Sequence, residues 1–301
     1  MKKILNLLLL LAVTGVAHAQ VNRSEEPYMT KSLSGESIRD VLVKTSGGSI
    51  SVTGVDRSEA RVEVYVHQSN NRDALSREQI RQKLEEDYEL TVSVADNKVT
   101  AIAEPKGVNI NWRKALSISF KVFVPENVST DLKTSGGGIN LTNLTGTHKL
   151  TTSGGGLNLD NISGNIHGRS SGGGIVVKNS SDEIDLATSG GGIEAVNCNG
   201  NLTLKTSGGS ISLRGLQGTT VASTSGGSVK ADKINGELST RTSGGNMELR
   251  NLTCSVDAHT SGGSMDVLVT ELREYLKVSS SGGNIHLELP GKKGIDLDLR
   301  A

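Results

Sequence analysis

Six carboxylates in the middle of the chain could supply acid–base chemistry if the fold brought them together. Cleavage of a glycosidic bond needs paired carboxylates, or a group of acidic and basic side chains, on one face of the protein. The candidates are Asp160, Asp182, Glu183, Asp185, Glu194 and Glu248. They fall at different positions of different sequence repeats, so we interpret them as outward-facing, solvated charges. A glycan-active β-helix enzyme of the lyase or hydrolase type stays the alternative function.

Neither metal ligands nor an activated nucleophile form a recognisable pattern. The histidines share no repeat position, and we expect them on the surface or in turns rather than at a metal. They are His67, His148, His167, His259 and His286. A calcium-binding β-roll needs an Asp after each glycine pair, where this chain has leucines such as Leu141 and Leu159. No serine lies in a Gly-x-Ser-x-Gly turn. We therefore predict no catalytic residue, no metal site and no cofactor.

A Ser-Gly-Gly triplet that recurs every 18 residues organises most of the chain. Eight copies follow one another at this period, a ninth comes after a step of 20, and a tenth stands far upstream. The serines are Ser46, Ser135, Ser153, Ser171, Ser189, Ser207, Ser225, Ser243, Ser261 and Ser281. Self-similarity at a short fixed period is typical of a solenoid, in which each repeat forms one coil.

Each repeat has the hydrophobic pattern of two short β-strands. With the serine as position zero, positions 4 and 6 are apolar and position 5 is mostly polar, as in Ile139-Asn140-Leu141. Positions 13 and 15 are mostly apolar, which gives the period of two of a half-buried strand. Position 17 is Thr or Ser in every copy, and we expect its hydroxyl to point inward and bond neighbouring coils or the backbone.

These patterns predict an all-β, single-stranded parallel β-solenoid of the β-helix or β-roll type, with 18-residue coils. The coils should stack about 4.8 Å apart, which is the spacing of paired strands. The crossover preference of parallel strands favours a right-handed coil. One unit cannot bury its apolar face alone, whereas stacked units form a continuous core.

Glycine pairs are predicted to form the first corner of each coil, because a corner needs positive φ and room for the coil above. The pairs are Gly136, Gly137, Gly154, Gly155, Gly172, Gly173, Gly190, Gly191, Gly208, Gly209, Gly226, Gly227, Gly244, Gly245, Gly262 and Gly263. A second corner is expected at positions 8 and 11, where Asn and Gly tolerate a left-handed conformation. Position 8 is Asn in five copies, with Gly215 and Lys233 as exceptions.

The first 19 residues have the features of a secretory signal peptide. Lys2 and Lys3 precede a short apolar run, and Ala17-His18-Ala19 is a small-x-small cleavage site. We expect cleavage between Ala19 and Gln20. The apolar run is shorter than the roughly 20 residues of a membrane span. The mature chain is therefore expected to be exported and to carry no transmembrane segment.

Residues 20–35 are expected to be a loose leader, and residues 36–134 to open and cap the solenoid. Ser76 and Gln79 form a capping box, which predicts an inserted helix over 77–88. Strands are expected at 61–66, 90–94, 99–103 and 117–124. The helix and the loop 106–114, which holds Trp112, could carry specificity or could simply cap the end. Residues 135–301 should form the regular solenoid, with a C-terminal cap that includes a strand over 294–299.

Charge and cysteine content narrow the function classes. The formal net charge is zero with the charges interspersed, so the chain has no electrostatic signature of nucleic-acid binding. Cys198 and Cys254 belong to coils about 14 Å apart, and a disulfide allows a Cα separation of only about 7 Å. We expect Cys198 in the core and Cys254 as a small corner residue. Aromatic residues make up 2% of the chain, which disfavours a strong sugar-binding groove.

The repeated Thr-Ser-Gly-Gly unit and the segment 41–54 resemble the bacterial putative-adhesin family of β-strand-repeat proteins, a domain of unknown function. The resemblance covers about residues 36–299. It implies a solenoid fold and an adhesin-type role, and it implies no catalytic residue or cofactor. We expect an exported, non-enzymatic binding or scaffolding module that is periplasmic, outer-surface or secreted. Its partner would be an unknown surface or matrix polymer or an envelope protein, and a spacer role fits the sequence equally well.

Overall fold

The repeats fold into stacked coils that turn around one long apolar core. The computed structural model describes residues 26–68, 75–107 and 115–291. The chain forms a β-solenoid of about nine turns. The strands of the array are β9 Ile139–Thr152, β10 Leu157–Ser170, β11 Ile175–Lys178, β12 Ser181–Thr188, β13 Ile193–Val196, β14 Asn199–Thr206, β15 Ile211–Thr224, β16 Val229–Thr242, β17 Met247–Thr260, β18 Met265–Ser280 and β19 Ile285–Glu288.

Neighbouring coils pair in parallel with a register of one repeat. Leu157 lies opposite Ile139, and Ile211 lies opposite Val229, each 18 residues apart. This register confirms the single-stranded parallel β-solenoid with 18-residue coils. The right-handed sense of the coil stays a prediction. Most coils hold one strand of 14 residues that bends at position 8, rather than two separate strands.

Alternation of side chains along the strands builds the core. In β9 the apolar residues Ile139, Leu141, Leu144 and Leu150 are at most 1% exposed, while the intervening side chains face outward. The same positions are buried in the following coils, so a column of apolar side chains runs through the array. Burying each such side chain contributes about 1.5–3 kcal/mol. Stacking identical coils thus supplies the stability that one coil lacks.

The N-terminal region contains eight strands, one α-helix and one short 3₁₀ turn. They are β1 Met29–Ser32, β2 Asp40–Thr45, β3 Ile50–Gly54, the turn Arg57–Glu59, β4 Arg61–Gln68, α1 Arg77–Asp87, β5 Tyr88–Ala95, β6 Lys98–Pro105, β7 Leu116–Val124 and β8 Ser129–Thr134. The predicted helix and the four predicted strands of this region are confirmed. The loose leader is wrong in part, because β1 pairs with β4.

The upstream Ser-Gly-Gly copy forms a coil directly next to the array, although 89 residues separate the two in sequence. β2 pairs with β8 and β3 pairs with β9, both in parallel. On the other side of this coil, β6 and β7 also run parallel to β2 and β3. Beyond them, β5 pairs antiparallel with β6, and β4 pairs antiparallel with β7. Antiparallel strands therefore end the parallel stack on this side.

Helix α1 begins at the capping box that the sequence predicts. The Ser76 hydroxyl accepts from the Gln79 amide at 3.2 Å, and the Gln79 side chain accepts from the Ser76 amide at 2.9 Å. Leu84 and Tyr88 are buried, which attaches the apolar side of the helix to the core. Because Tyr88 Oη also binds both backbone groups of Leu116, the helix end and β7 are joined.

Several predicted features lie outside the described residues and stay predictions. They are the signal peptide 1–19, the cleavage site between Ala19 and Gln20, the Trp112 part of the loop and the strand over 294–299. At the C-terminal side, β18 contains the two-residue insertion, and its pairing with β17 shows register shifts between Leu249 and Val256. β19 follows as a four-residue strand that pairs with β18.

Candidate binding surface

The glycine pairs stack on one another, and close packing rather than φ explains why they are glycines. A Cβ on Gly155 would lie 2.0 Å from the carbonyl oxygen of Gly137, and a Cβ on Gly137 would lie 2.1 Å from that of Gly48. The expectation of positive φ is wrong here, because none of the pairs in the described coils has a left-handed φ. The second glycine of each pair has to be Gly because the next coil occupies the Cβ position.

Position 17 closes this corner with hydrogen bonds, as expected. Thr152 Oγ1 donates to the Gly137 carbonyl at 2.8 Å and accepts from the Gly155 amide at 3.2 Å. The same pair of bonds recurs at Ser170, Thr206, Thr224, Thr242, Thr260 and Ser280. Each hydroxyl thus bridges two coils at a buried or half-buried site. The Ser-Gly-Gly corner is a structural column.

The second corner is a left-handed column at position 8. Asn143, Asn161, Asn179, Asn197 and Asn251 have φ between 50° and 57°. Neighbouring side chains bond along the column, and Asn161 Nδ2 donates to Asn143 Oδ1 at 2.9 Å. The exceptions keep the backbone conformation: Gly215 has φ 64° and Lys233 has φ 57°. The predicted second corner is confirmed.

Most of the six candidate carboxylates bind donors on neighbouring coils instead of converging on one groove. Asp160 accepts from Asn179, Asp182 accepts from the Gly164 amide, and Glu183 accepts from Asn201. Glu248 forms salt bridges with Lys230 at 3.4 Å and Arg250 at 2.9 Å. Glu194 is exposed on β13. Within the described ranges, no three His, Cys, Asp or Glu side chains are placed to hold a metal ion together.

Asp185 lies in the tightest charged group on the outer face. Its carboxylate binds Arg169 at 2.6 Å and His167 at 3.0 Å. Partial burial alone would raise the pKa of Asp185, but the hydrogen bond and charge of Arg169, with His167 and Lys205, lower it overall. Asp185 is therefore an anion at neutral pH, and it cannot deliver a proton.

His148 is the one histidine whose predicted place is wrong. It occupies an inward position of β9, with 1% of its surface exposed. Nδ1 lies 3.1 Å from Thr130 Oγ1, and Nε2 is buried without a hydrogen-bond partner among the described residues. Burial lowers the pKa of His148 to about 4, so the ring is neutral. By contrast, His167, His259 and His286 lie at the surface, as predicted.

A groove follows the second corner across three coils. Its volume is about 340 Å³. The lining comes from positions 8–10 of β15, β16 and β17 and consists of Gly215, Leu216, Gln217, Lys233, Ile234, Asn235, Asn251 and Thr253. Most of these side chains are polar and exposed. A second, open depression of about 530 Å³ lies where α1 meets β1, next to Tyr28, Arg77 and Arg81.

The insertion in β18 folds back toward the groove as a bulge, which we define as residues 271–275. Arg273 donates to Asn235 Oδ1 at 2.6 Å, and Tyr275 donates to Glu237 Oε1 at 2.6 Å. Each contact spans 38 residues, or two coils. The hydrogen bond to Glu237 raises the pKa of Tyr275 to about 12. The sequence marked the insertion by its step of 20, but it gave no sign that the bulge reaches two coils back.

Residues 173–301 match the family model described as Toastrack DUF4097. The chain contains a Toastrack domain. The resemblance stated from the repeat is thereby confirmed. The protein is also similar to a solved structure described as a putative adhesin from Bacteroides fragilis NCTC 9343, with 16% identity, a TM-score of 0.35, and 86% of this chain and 96% of that chain covered.

A second solved structure is described as a putative cell adhesion protein from Clostridium sporogenes ATCC 15579. It has 10% identity and a TM-score of 0.27, and the match covers 84% of this chain and 98% of that chain. No curated protein matches the sequence. In the part of the chain that the structure describes, no helix has the length and hydrophobicity of a membrane span.

The Toastrack domain holds the groove, the bulge and both cysteines. Cys198 is 1% exposed and Cys254 is 0% exposed, and both thiols are free. Cys254 aligns with Gly236 in the corner column. Burial raises the pKa of Cys198, and it raises that of Cys254 to about 11. The predicted places, in the core for Cys198 and at the corner for Cys254, are confirmed.

Proposed function

We propose that this protein is an exported, non-enzymatic binding module of the cell envelope that holds an extended surface or matrix polymer along its side. The observation that carries the proposal is the set of polar ladders that run from coil to coil on the outer faces. Asn158 Nδ2 donates to Asn140 Oδ1 at 2.9 Å, and Thr145 Oγ1 lies 2.8 Å from Ser163 Oγ. Such ladders present similar polar groups at intervals of about 4.8 Å.

A regular face of this kind suits a long ligand better than a small one. Each contact with a polar group of the polymer is weak, but contacts made in series along one rigid rod add up. The bonds between neighbouring coils also hold the side chains in place, which lowers the entropy lost on binding. The predicted signal peptide supports export, and export gives the protein access to envelope polymers.

Retention on a panel of immobilised envelope and matrix polymers tests the proposal, with bound protein and released sugar both recorded. Retention without sugar release is the expected result. Replacing Asn140 and Asn158 together by Ala should weaken retention, because it removes two exposed ladder side chains. The matched control replaces Gln82 and Glu86, an exposed hydrogen-bonded pair on α1, and should leave retention unchanged. Absence of retention on every polymer would contradict the proposal and leave a spacer or a partner-protein role.

The Asp185 group favours a second candidate, a glycan-active enzyme, because it brings an acid, a base and a histidine together. Glycoside hydrolysis uses two carboxylates with different pKa values, and this group supplies one that is committed to Arg169. Sugar released by the wild-type protein and not by Asp185→Asn would establish the enzyme. Sugar release that persists in this variant would rule out Asp185 as its catalytic residue.

A further inference from the structure

The position-8 column is interrupted where the groove lies. Asn residues occupy this position in the coils before and after, and their short polar side chains suit the left-handed conformation. Gly215 and Lys233 replace Asn in two successive coils while keeping φ at 64° and 57°. Lysine gains no comparable local hydrogen bond in this conformation, so the corner itself gives no reason for it. The reason should lie in what the two side chains face.

Gly215 leaves a gap on the corner surface. Asn197 Oδ1 lies 2.7 Å from the point where a Cβ on residue 215 would stand, so it points toward the vacant place. On the other side of the gap, Lys233 is exposed. The groove of about 340 Å³ lies here, and this volume is at the low end of ligand pockets.

The lining has the hydrogen-bonding character of a saccharide site. Gln217 and Asn235 carry amides that both donate and accept, and Thr253 adds a hydroxyl with the same capacity. These groups match the hydroxyls of a sugar, which also donate and accept. Lys233 is the charged residue of the lining, so the groove favours a ligand with a negative group.

The bulge holds one wall of the groove in place. Arg273 fixes Asn235 Oδ1 as an acceptor at 2.6 Å, which orients the Asn235 amide. Tyr275 is bound to Glu237 and lies under Lys277, whose Nζ is 5.3 Å from the ring centroid. A wall fixed in advance loses little entropy when a ligand binds.

We propose that this groove binds a short segment of a carboxylated glycan. Gln217, Asn235 and Thr253 bind sugar hydroxyls, and the Lys233 ammonium binds the carboxylate. The inference rests on the proposed function, for which it names the ligand class and one site on the rod. It also gives a role to the two residues that leave the Asn column.

Titration of the purified full chain with a galacturonic acid trimer tests the inference, with a neutral galactose trimer as the comparison. Lys233→Asn should weaken binding of the acidic trimer about ten-fold, since it removes a charge-assisted hydrogen bond, and should leave the neutral trimer unaffected. Gly215→Asn should abolish binding of both, because it fills the gap with the residue that five other coils carry. Both variants should unfold at the wild-type urea concentration.

Lys230→Asn is the matched control, since it makes the same change on the same strand at a position outside the lining. Its affinity for both trimers should equal that of the wild type. The inference is overturned if the acidic trimer binds no better than the neutral one up to about 5 mM, or if Gly215→Asn binds as the wild type does. If Gly215→Asn loses the trimer but the protein is still retained on immobilised polymers, the groove is confirmed and the ladders bind independently.

Discussion

Adjacent glycines of one corner should respond in opposite ways to the same substitution. A Cβ on Gly227 would lie 2.0 Å from the Gly209 carbonyl oxygen and 2.4 Å from its carbon. A Cβ on Gly226 would come no closer than 3.5 Å to Gly208 O, which is ordinary contact. Neither residue has a left-handed φ, so Ala is compatible with both backbones. The pair Gly227→Ala and Gly226→Ala therefore isolates the stacking distance from every other property of glycine.

The geometry sets the size of the effect. Contacts of a real Cβ essentially never fall below 3.0 Å, so the coils would have to separate by about 1 Å at Gly227. That movement strains three hydrogen bonds: Gly226 N to Ser207 O at 2.9 Å, Thr242 Oγ1 to Gly227 O at 2.8 Å, and Gly227 N to Thr224 Oγ1 at 3.2 Å. At a net contribution of about 0.5–1.5 kcal/mol for each bond, Gly227→Ala should cost about 2–4 kcal/mol. Gly226→Ala should stay within about 1 kcal/mol of the wild type.

Urea unfolding followed by circular dichroism measures the global effect, and hydrogen exchange locates it. Because each coil contacts only its neighbours, solenoid stability is a sum of local terms. Gly227→Ala should therefore lower the unfolding midpoint and speed exchange in the coils around β15 and β16, while Gly226→Ala should do neither. Equal destabilisation by the two variants, or wild-type behaviour of Gly227→Ala, would refute stacking distance as the cause.

Other predictions follow from the buried hydroxyls, the buried histidine and the thiols. Thr242→Val should cost about 1–3 kcal/mol in urea unfolding, since it leaves two backbone groups unpaired, whereas Thr242→Ser should cost less. The pKa of His148 falls from 6.5 to about 4 on folding, so the unfolded chain binds more protons between these values. Stability should therefore fall by about 3 kcal/mol as the pH drops through that window, and the slope should flatten in His148→Leu. Cys198 and Cys254 should resist a thiol reagent at pH 8 until urea unfolds the chain.

The fold could be predicted because its rules are local and repeat. Alternation at positions 4 to 6 specifies a strand, and Asn at position 8 specifies a left-handed corner such as that of Asn143. The helix followed from the capping box at Ser76 and Gln79. Each of these signals lies within a few residues, so no knowledge of distant contacts was required.

The errors share a physical cause, which is that residue type is weaker evidence than register. His148 was expected at the surface because histidine is polar, but it occupies position 13, which is apolar in most other coils. The repeat fixes the direction of a side chain, so the column should have outweighed the residue. Likewise, glycine at the first corner suggested positive φ, while the actual constraint comes from the neighbouring coil.

A regular repeat gives a standard against which each departure can be judged. In an irregular protein, a glycine at position 215 or a lysine at position 233 would have many possible reasons. Here five other coils show that Asn satisfies the same corner. The two replacements are therefore unnecessary for the fold, and they coincide with the groove and face the region where the only two-residue insertion between successive Ser-Gly-Gly copies folds back. Three independent departures at one place argue for a requirement outside folding, and binding is the requirement that the lining chemistry can meet.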